Sequence, residues 1–81
     1  MNLVILTPEI TVFSGEAKSV SLPGESGRFQ VLENHAALIA ALKEGEVKVE
    51  TANDKNTYTI KSGIVEVLNN KVSVLTEGIV A

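Results

Sequence analysis

The sequence predicts an all-β fold, a small two-sheet β-sandwich. Three observations carry this reading. Turn-forming pairs punctuate the 81-residue chain about every ten residues, the spacing of short strands in sandwiches and barrels. Several of the runs between them alternate apolar and polar residues, as in Val47-Lys48-Val49-Glu50 and Val72-Ser73-Val74. Val, Ile and Thr dominate while aromatic residues make up only 4% of the chain, a usage that suits pleated, half-buried strands.

In chain order the turn signals are Ser14-Gly15, Pro23-Gly24 with Ser26-Gly27, Glu33-Asn34, Glu44-Gly45, Asn53-Asp54, Ser62-Gly63 and Asn69-Asn70. Asn and Asp tolerate the positive φ that tight hairpins demand, so Asn53-Asp54 and Asn69-Asn70 read as hairpin tips. In Thr57-Tyr58-Thr59-Ile60-Lys61, Tyr58 and Ile60 share one face and the threonines take the other. The apolar run Ala36–Leu42 carries good helix formers. It is too short for a stable helix and turns bound it, so it reads as a strand buried on both faces. The core is expected to be aliphatic, with Phe13 and Phe29 inside it. No linker, repeat or composition shift divides the chain, so residues 1–81 form one domain.

Ten acidic against seven basic residues give a net charge of −3. No basic cluster exists to drive nucleic-acid binding by counterion release. The absence of cysteine removes disulfides, thiolate zinc ligands and thiol chemistry together. No apolar run approaches the ~20 residues of a membrane-spanning helix, so no direct membrane insertion is expected.

Catalytic chemistry finds no support. His35 is the only histidine, and neither an orienting partner nor further metal ligands converge on it by spacing. It reads as a corner residue whose ring bonds a backbone group. Gly24 and Gly27 lack the spacing and the following Lys-Ser/Thr of a phosphate loop. The acids are scattered. The reading is therefore a non-enzyme with no cofactor, metal or small-molecule ligand. A rival from another class is a swinging-arm carrier domain modified with lipoate or biotin on Lys71. It would need that lysine near mid-chain between two similar halves, and neither condition holds.

The stretch Ser21–Gly45 carries a family signal. A Pro-Gly turn leads through a short strand to the Glu33-Asn34-His35 corner, then to an apolar run closed by Lys43-Glu44-Gly45. With Val12-Phe13-Ser14-Gly15-Glu16-Ala17 before it and Lys61–Val67 and Lys71–Leu75 after it, the chain resembles the sandwich domain of the epsilon subunit of rotary F-type ATP synthases. The resemblance implies a non-catalytic rotor subunit of the central stalk. Such a subunit links the gamma subunit to the membrane c ring on the cytoplasmic face of the bacterial inner membrane. Its tightly packed interior would transmit torque rather than absorb it. Position by position, the resemblance implies that Glu25, Ser26, Gly27, Arg28 and Phe29 meet the c ring, and that Thr7, His35, Ala36 and Ala40 face gamma. It departs at Arg28, where the family often has an acid. The C-terminal helical hairpin of most members has no counterpart in this sequence.

Overall fold

A computed structural model describes residues 1–80. Among them there are nine strands and no helix: β1 (Asn2–Leu6), β2 (Thr11–Glu16), β3 (Ser19–Gly24), β4 (Gly27–Leu32), β5 (Leu38–Leu42), β6 (Gly45–Glu50), β7 (Lys55–Ile60), β8 (Gly63–Leu68) and β9 (Lys71–Thr76). They form two layers. The first runs β2-β1-β9-β8-β5 and the second β4-β3-β6-β7, the layers meeting at the Gly24–Leu42 pair between β3 and β5. All pairings are antiparallel except β1 with β9. The expected β-sandwich is what the chain forms.

Period-two alternation places the core. Leu3, Ile5, Val65, Val67, Val72 and Val74 of the first layer face Val20, Leu22, Val31, Val47, Val49 and Ile60 of the second, and all are buried. The aliphatic core is as expected. Phe13, Phe29 and Tyr58 sit at its rim, partly buried against it rather than inside it. Phe13 and Tyr58 meet at the rim with ring centroids 6.4 Å apart.

The turns follow backbone chemistry. Asn69 and Asn70, at φ 52° and 61°, make the left-handed pair that a two-residue β8–β9 connection needs. Asn34 takes φ 59° at the Glu33-Asn34 corner. The β3–β4 hairpin turns on Glu25 and Ser26, with Gly27 at φ 134°, a conformation that L side chains rarely adopt. A Cβ on Gly24 would lie 2.6 Å from the Gly27 carbonyl oxygen, so both glycines are needed at the hairpin neck.

Other expectations fail too: Pro23-Gly24 ends β3 rather than making the turn, which falls on Glu25 and Ser26. Ser14-Gly15 is not a turn; both residues lie inside β2. The turn comes earlier, at Thr7–Ile10. There the Thr7 hydroxyl accepts the Glu9 and Ile10 amides at 3.3 and 3.0 Å, a side-chain turn that a Thr-Pro start favours. Asn53-Asp54 does not use positive φ. Instead the Thr51 hydroxyl accepts the Asp54 amide at 3.0 Å and closes that loop. The run Ala36–Leu42 is not a strand buried on both faces. The strand starts at Leu38, and it alternates: Leu42 is buried, while Ile39 and Ala41 point outward, Ile39 with 66% of its surface exposed.

Candidate interaction surfaces

The two residue sets expected to meet partners are differently placed. Glu25 and Ser26 form the exposed tip of the β3–β4 hairpin, and Gly27 opens β4. Phe29 points inward and packs against the core. Arg28 is one residue into β4, not at the tip. Its side chain lies exposed across the outer face of the second layer, with Nε donating to the Ser21 hydroxyl at 3.0 Å and Nη2 donating to the Glu46 carbonyl.

Thr7 sits at the same end of the sandwich as the tip, because β1 ends where β3 ends. His35 and Ala36 lie toward the other end, between the Glu33-Asn34 corner and β5. The His35 ring donates from Nδ1 to the Ala36 carbonyl at 2.7 Å, the backbone bond expected of a corner histidine. Ala40 points inward and packs against the core; its neighbours Ile39 and Ala41 are the outward residues of β5.

A groove of about 540 Å³ runs between β4 and β5 and brings Glu25, Ser26, Gly27, Phe29, His35 and Ala40 to its walls. A second groove of about 620 Å³ contains Thr7 with Leu6, Pro8, Leu42, Ile64 and Leu75, and Glu25 lines this one too. The tip thus stands between both grooves. Among the described residues no group of three or more His, Cys, Asp or Glu side chains converges as a metal site.

The corner that carries His35 is pinned by charge. The Glu33 carboxylate accepts the Met1 α-amino group and the Asn70 side-chain amide, the latter at 3.1 Å. Asn70 in turn accepts the Asn34 amide at 2.8 Å, and the Met1 amine also donates to Glu16 at 3.3 Å and to the Ala17 carbonyl at 3.1 Å. The bond from the amine, then that from Asn70, holds the Glu33 carboxyl below its ordinary value of 4.5. The Glu33 bond, opposed by burial and aided by Glu16, raises the amine above its ordinary 8.0. The depressed carboxyl contributes stability above its unfolded pKa, which is lost as pH falls through the folded one. The raised amine contributes below its own unfolded pKa, and that is lost as pH rises through the folded one. The pair therefore stabilises this 81-residue chain most between roughly pH 4.5 and 8. The melting temperature of Glu33→Gln should fall less steeply than wild type on both sides of that window. Superimposable profiles from the two proteins would show that the Met1–Glu33 pair does not set the pH dependence.

Residues 1–81 match the family described as ATP synthase, Delta/Epsilon chain, beta-sandwich domain. The chain belongs to this family. The ATP synthase epsilon chain of Chlorobaculum tepidum is 47% identical over 77 residues, covering 94% of this chain and 88% of that protein. That of Helicobacter pylori strain P12 is 41% identical over 80 residues, covering 99% of this chain but only 65% of the relative. In Sulfurimonas denitrificans the identity is 47% over 83 residues, and the matched part is 63% of the relative. The chain therefore spans about two-thirds of the length of several epsilon chains and most of the length of others.

Solved structures agree on the fold. A chain in the Euglena gracilis mitochondrial ATP synthase OSCP/F1/c-ring structure superposes with a TM-score of 0.89 at 22% identity, over 96% of this chain and 51% of that one. One in the Tetrahymena thermophila central stalk/c-ring structure gives 0.85 at 13% identity, over 98% and 64% of the two chains. Membership in the ATP synthase delta/epsilon family, over every residue, takes the place of the carrier-domain alternative at Lys71, an exposed residue that opens β9.

One feature of this delta/epsilon domain escaped the sequence reading. Ala41, Ile64, Leu75 and Leu6 are successive cross-strand neighbours on β5, β8, β9 and β1. They form an apolar row on the outer face of the first layer, where Ile64 and Leu75 are 44% and 49% exposed. The signal was present as Ile64 and Leu75, which break the polar phase of their strands. It becomes legible only once the strand registers place the four residues side by side.

Proposed function

We propose that this domain is a non-catalytic rotor subunit of the ATP synthase central stalk. It joins the gamma subunit to the c ring at the cytoplasmic face of a bacterial inner membrane and helps couple proton flow to ATP synthesis. The observation that carries the reading is the contrast between the two outer faces. The second layer shows water a mixed polar surface: Ser21, Gln30, Glu46, Lys48, Lys55 and Thr57, with Leu32 the large apolar exception. The first layer shows the apolar row Ala41–Ile64–Leu75–Leu6 across one end, with Ile39 beside it and the polar Glu66, Ser73 and Lys71 further along the same face. A contiguous exposed apolar patch on a small soluble domain marks a protein interface.

The row crosses the strands at the end of the sandwich where Thr7 and Glu25 lie. Gamma would cover the row and Thr7, and the tip would reach the polar loops of the ring beyond it. Association with the membrane would pass through these partners, since no helix of the described residues is long and apolar enough to cross it. The direct experiment is co-expression of a tagged form of the chain with its cognate gamma subunit. A stable one-to-one complex that survives size-exclusion chromatography is expected. Gamma recovered entirely in the unbound fraction would refute the central-stalk role.

A further inference from the structure

β3 leaves β6 part-way along its length. The two strands pair at Ser19–Glu50, Val20–Val49 and Ser21–Lys48, and the ladder stops there. Continued by two residues, the same register would set Pro23 opposite Glu46. Proline has no N–H to give. The Pro23 carbonyl turns instead to the Lys43 amide at 2.9 Å, and Gly24 pairs with Leu42 of β5. This is where one layer hands the strand to the other, and it leaves the Glu46 carbonyl without a donor from β3.

Arg28 fills that place. From the neighbouring strand β4, its side chain crosses the outer face of β3. Nε donates to the Ser21 hydroxyl at 3.0 Å, Nη2 reaches the Ser21 carbonyl at 3.5 Å, and Nη2 donates to the Glu46 carbonyl. A guanidinium suits this task because it is planar, permanently charged and carries five donors in a fixed fork. We propose that Arg28 is a positioning residue that supplies the hydrogen bond Pro23 cannot make, fixing the root of the β3–β4 hairpin so that its tip offers Glu25 as its one charge.

Arg28, Ser21, Pro23 and Glu46 all belong to this chain, and their contacts need no partner. What the tip offers a partner rests on the rotor reading above. A ring-facing role for the Arg28 charge and a positioning role make different demands on the side chain. The first is met by any cation; the second needs the fork.

The test is amide hydrogen exchange by NMR on the 81-residue chain, read at Ser21 and Lys48 in the last rung of the ladder. Arg28→Met should speed exchange there by about five- to tenfold, the size of one net hydrogen bond. Arg28→Lys should recover little of this, because Arg28 uses Nε and Nη2, spaced by the planar fork, for its two acceptors, and a compact ammonium on a flexible stem lacks that fixed spacing. Pro23→Ala restores an N–H opposite Glu46. In that background Arg28→Met should change exchange by less than about twofold, since the backbone then serves the carbonyl. Full protection in Arg28→Lys, or an equal loss in both backgrounds, would overturn the proposal. Should Pro23→Ala fail to fold, the comparison of Lys with Met at position 28 decides.

A second reading uses the gamma complex with c-ring membranes. Glu25→Gln should change the salt dependence of attachment, whereas Arg28→Lys, which loosens the hairpin root but keeps the charge, should weaken attachment at every salt concentration and leave its salt slope unchanged. A salt slope that follows residue 28 and not Glu25 would overturn the assignment of the tip charge. If the wild-type chain does not attach to the ring at all, the rotor reading fails, and the exchange experiment still decides the role of Arg28.

Discussion

Leu22→Ala is expected to lower the stability of the domain by about 2–5 kcal/mol, the range for removing a large aliphatic side chain from a packed core. Leu22 is fully buried in β3, opposite Phe29 of β4, and faces the first layer. It stands at the point where β3 stops pairing with β6 and turns to β5. Neighbours fixed by two different sheets cannot easily collapse into the space it would leave. A domain of this length has a total stability of about 4–12 kcal/mol, at roughly 0.05–0.15 kcal/mol per residue. The loss is thus a large share of the whole, and the variant should melt well below wild type. Urea unfolding should show a lower midpoint with an unchanged slope. Phe29→Ala removes more atoms from a half-buried site and should cost less than burial at the centre would suggest. A loss below about 1 kcal/mol for Leu22→Ala would mean that the core tolerates the void, against its dense interdigitation.

The fold was legible because most strands obey one rule, an inward apolar phase and an outward polar one. Val47 and Val49 against Glu46 and Lys48, or Val72 and Val74 against Lys71 and Ser73, display it plainly. β5 hid it. Its outward residues, Ile39 and Ala41, are apolar too, so the sequence of the run Ala36–Leu42 is uniform and predicts burial on both faces. A strand whose solvent phase is apolar gives the same sequence whether it is covered by its own protein or left for another. The resemblance puts Ala40 at an interface; the pleat packs it against the core, and it also lines the groove between β4 and β5.

The turns were legible where backbone conformation demanded a residue type, as at Asn34, Asn69, Asn70 and Gly27. They were missed where a side chain made the turn, as Thr7 and Thr51 do. The crossing of Arg28 to Glu46 could not be read at all. It depends on strand β6 lying beside β3, and on the ladder between them ending at a proline.

The largest effect on function should come from a charge in the outer apolar row. Ile64→Lys and Leu75→Lys each place an ammonium on the outward phase of β8 or β9, between cross-strand neighbours that are apolar. Both positions are about half exposed in the free chain, and lysine keeps its stem on the sheet while its head reaches water. Folding should therefore change by less than about 0.5 kcal/mol, as for ordinary surface substitutions. Binding to gamma should respond very differently. A charge desolvated at the centre of an interface, or an anchor lost there, costs about 2 kcal/mol or more, which is at least about 30-fold in affinity. Thr57→Lys, on the polar outer face of the second layer, serves as the control and should bind gamma as wild type does. Calorimetry of each variant against the cognate gamma subunit, with melting temperatures measured alongside, separates the cases. Weakened binding by both row variants at unchanged melting temperature, with the control unaffected, would identify the row as the gamma surface. Wild-type affinity in Ile64→Lys and Leu75→Lys would exclude it and move gamma to the groove between β4 and β5, where His35 and Ala40 lie.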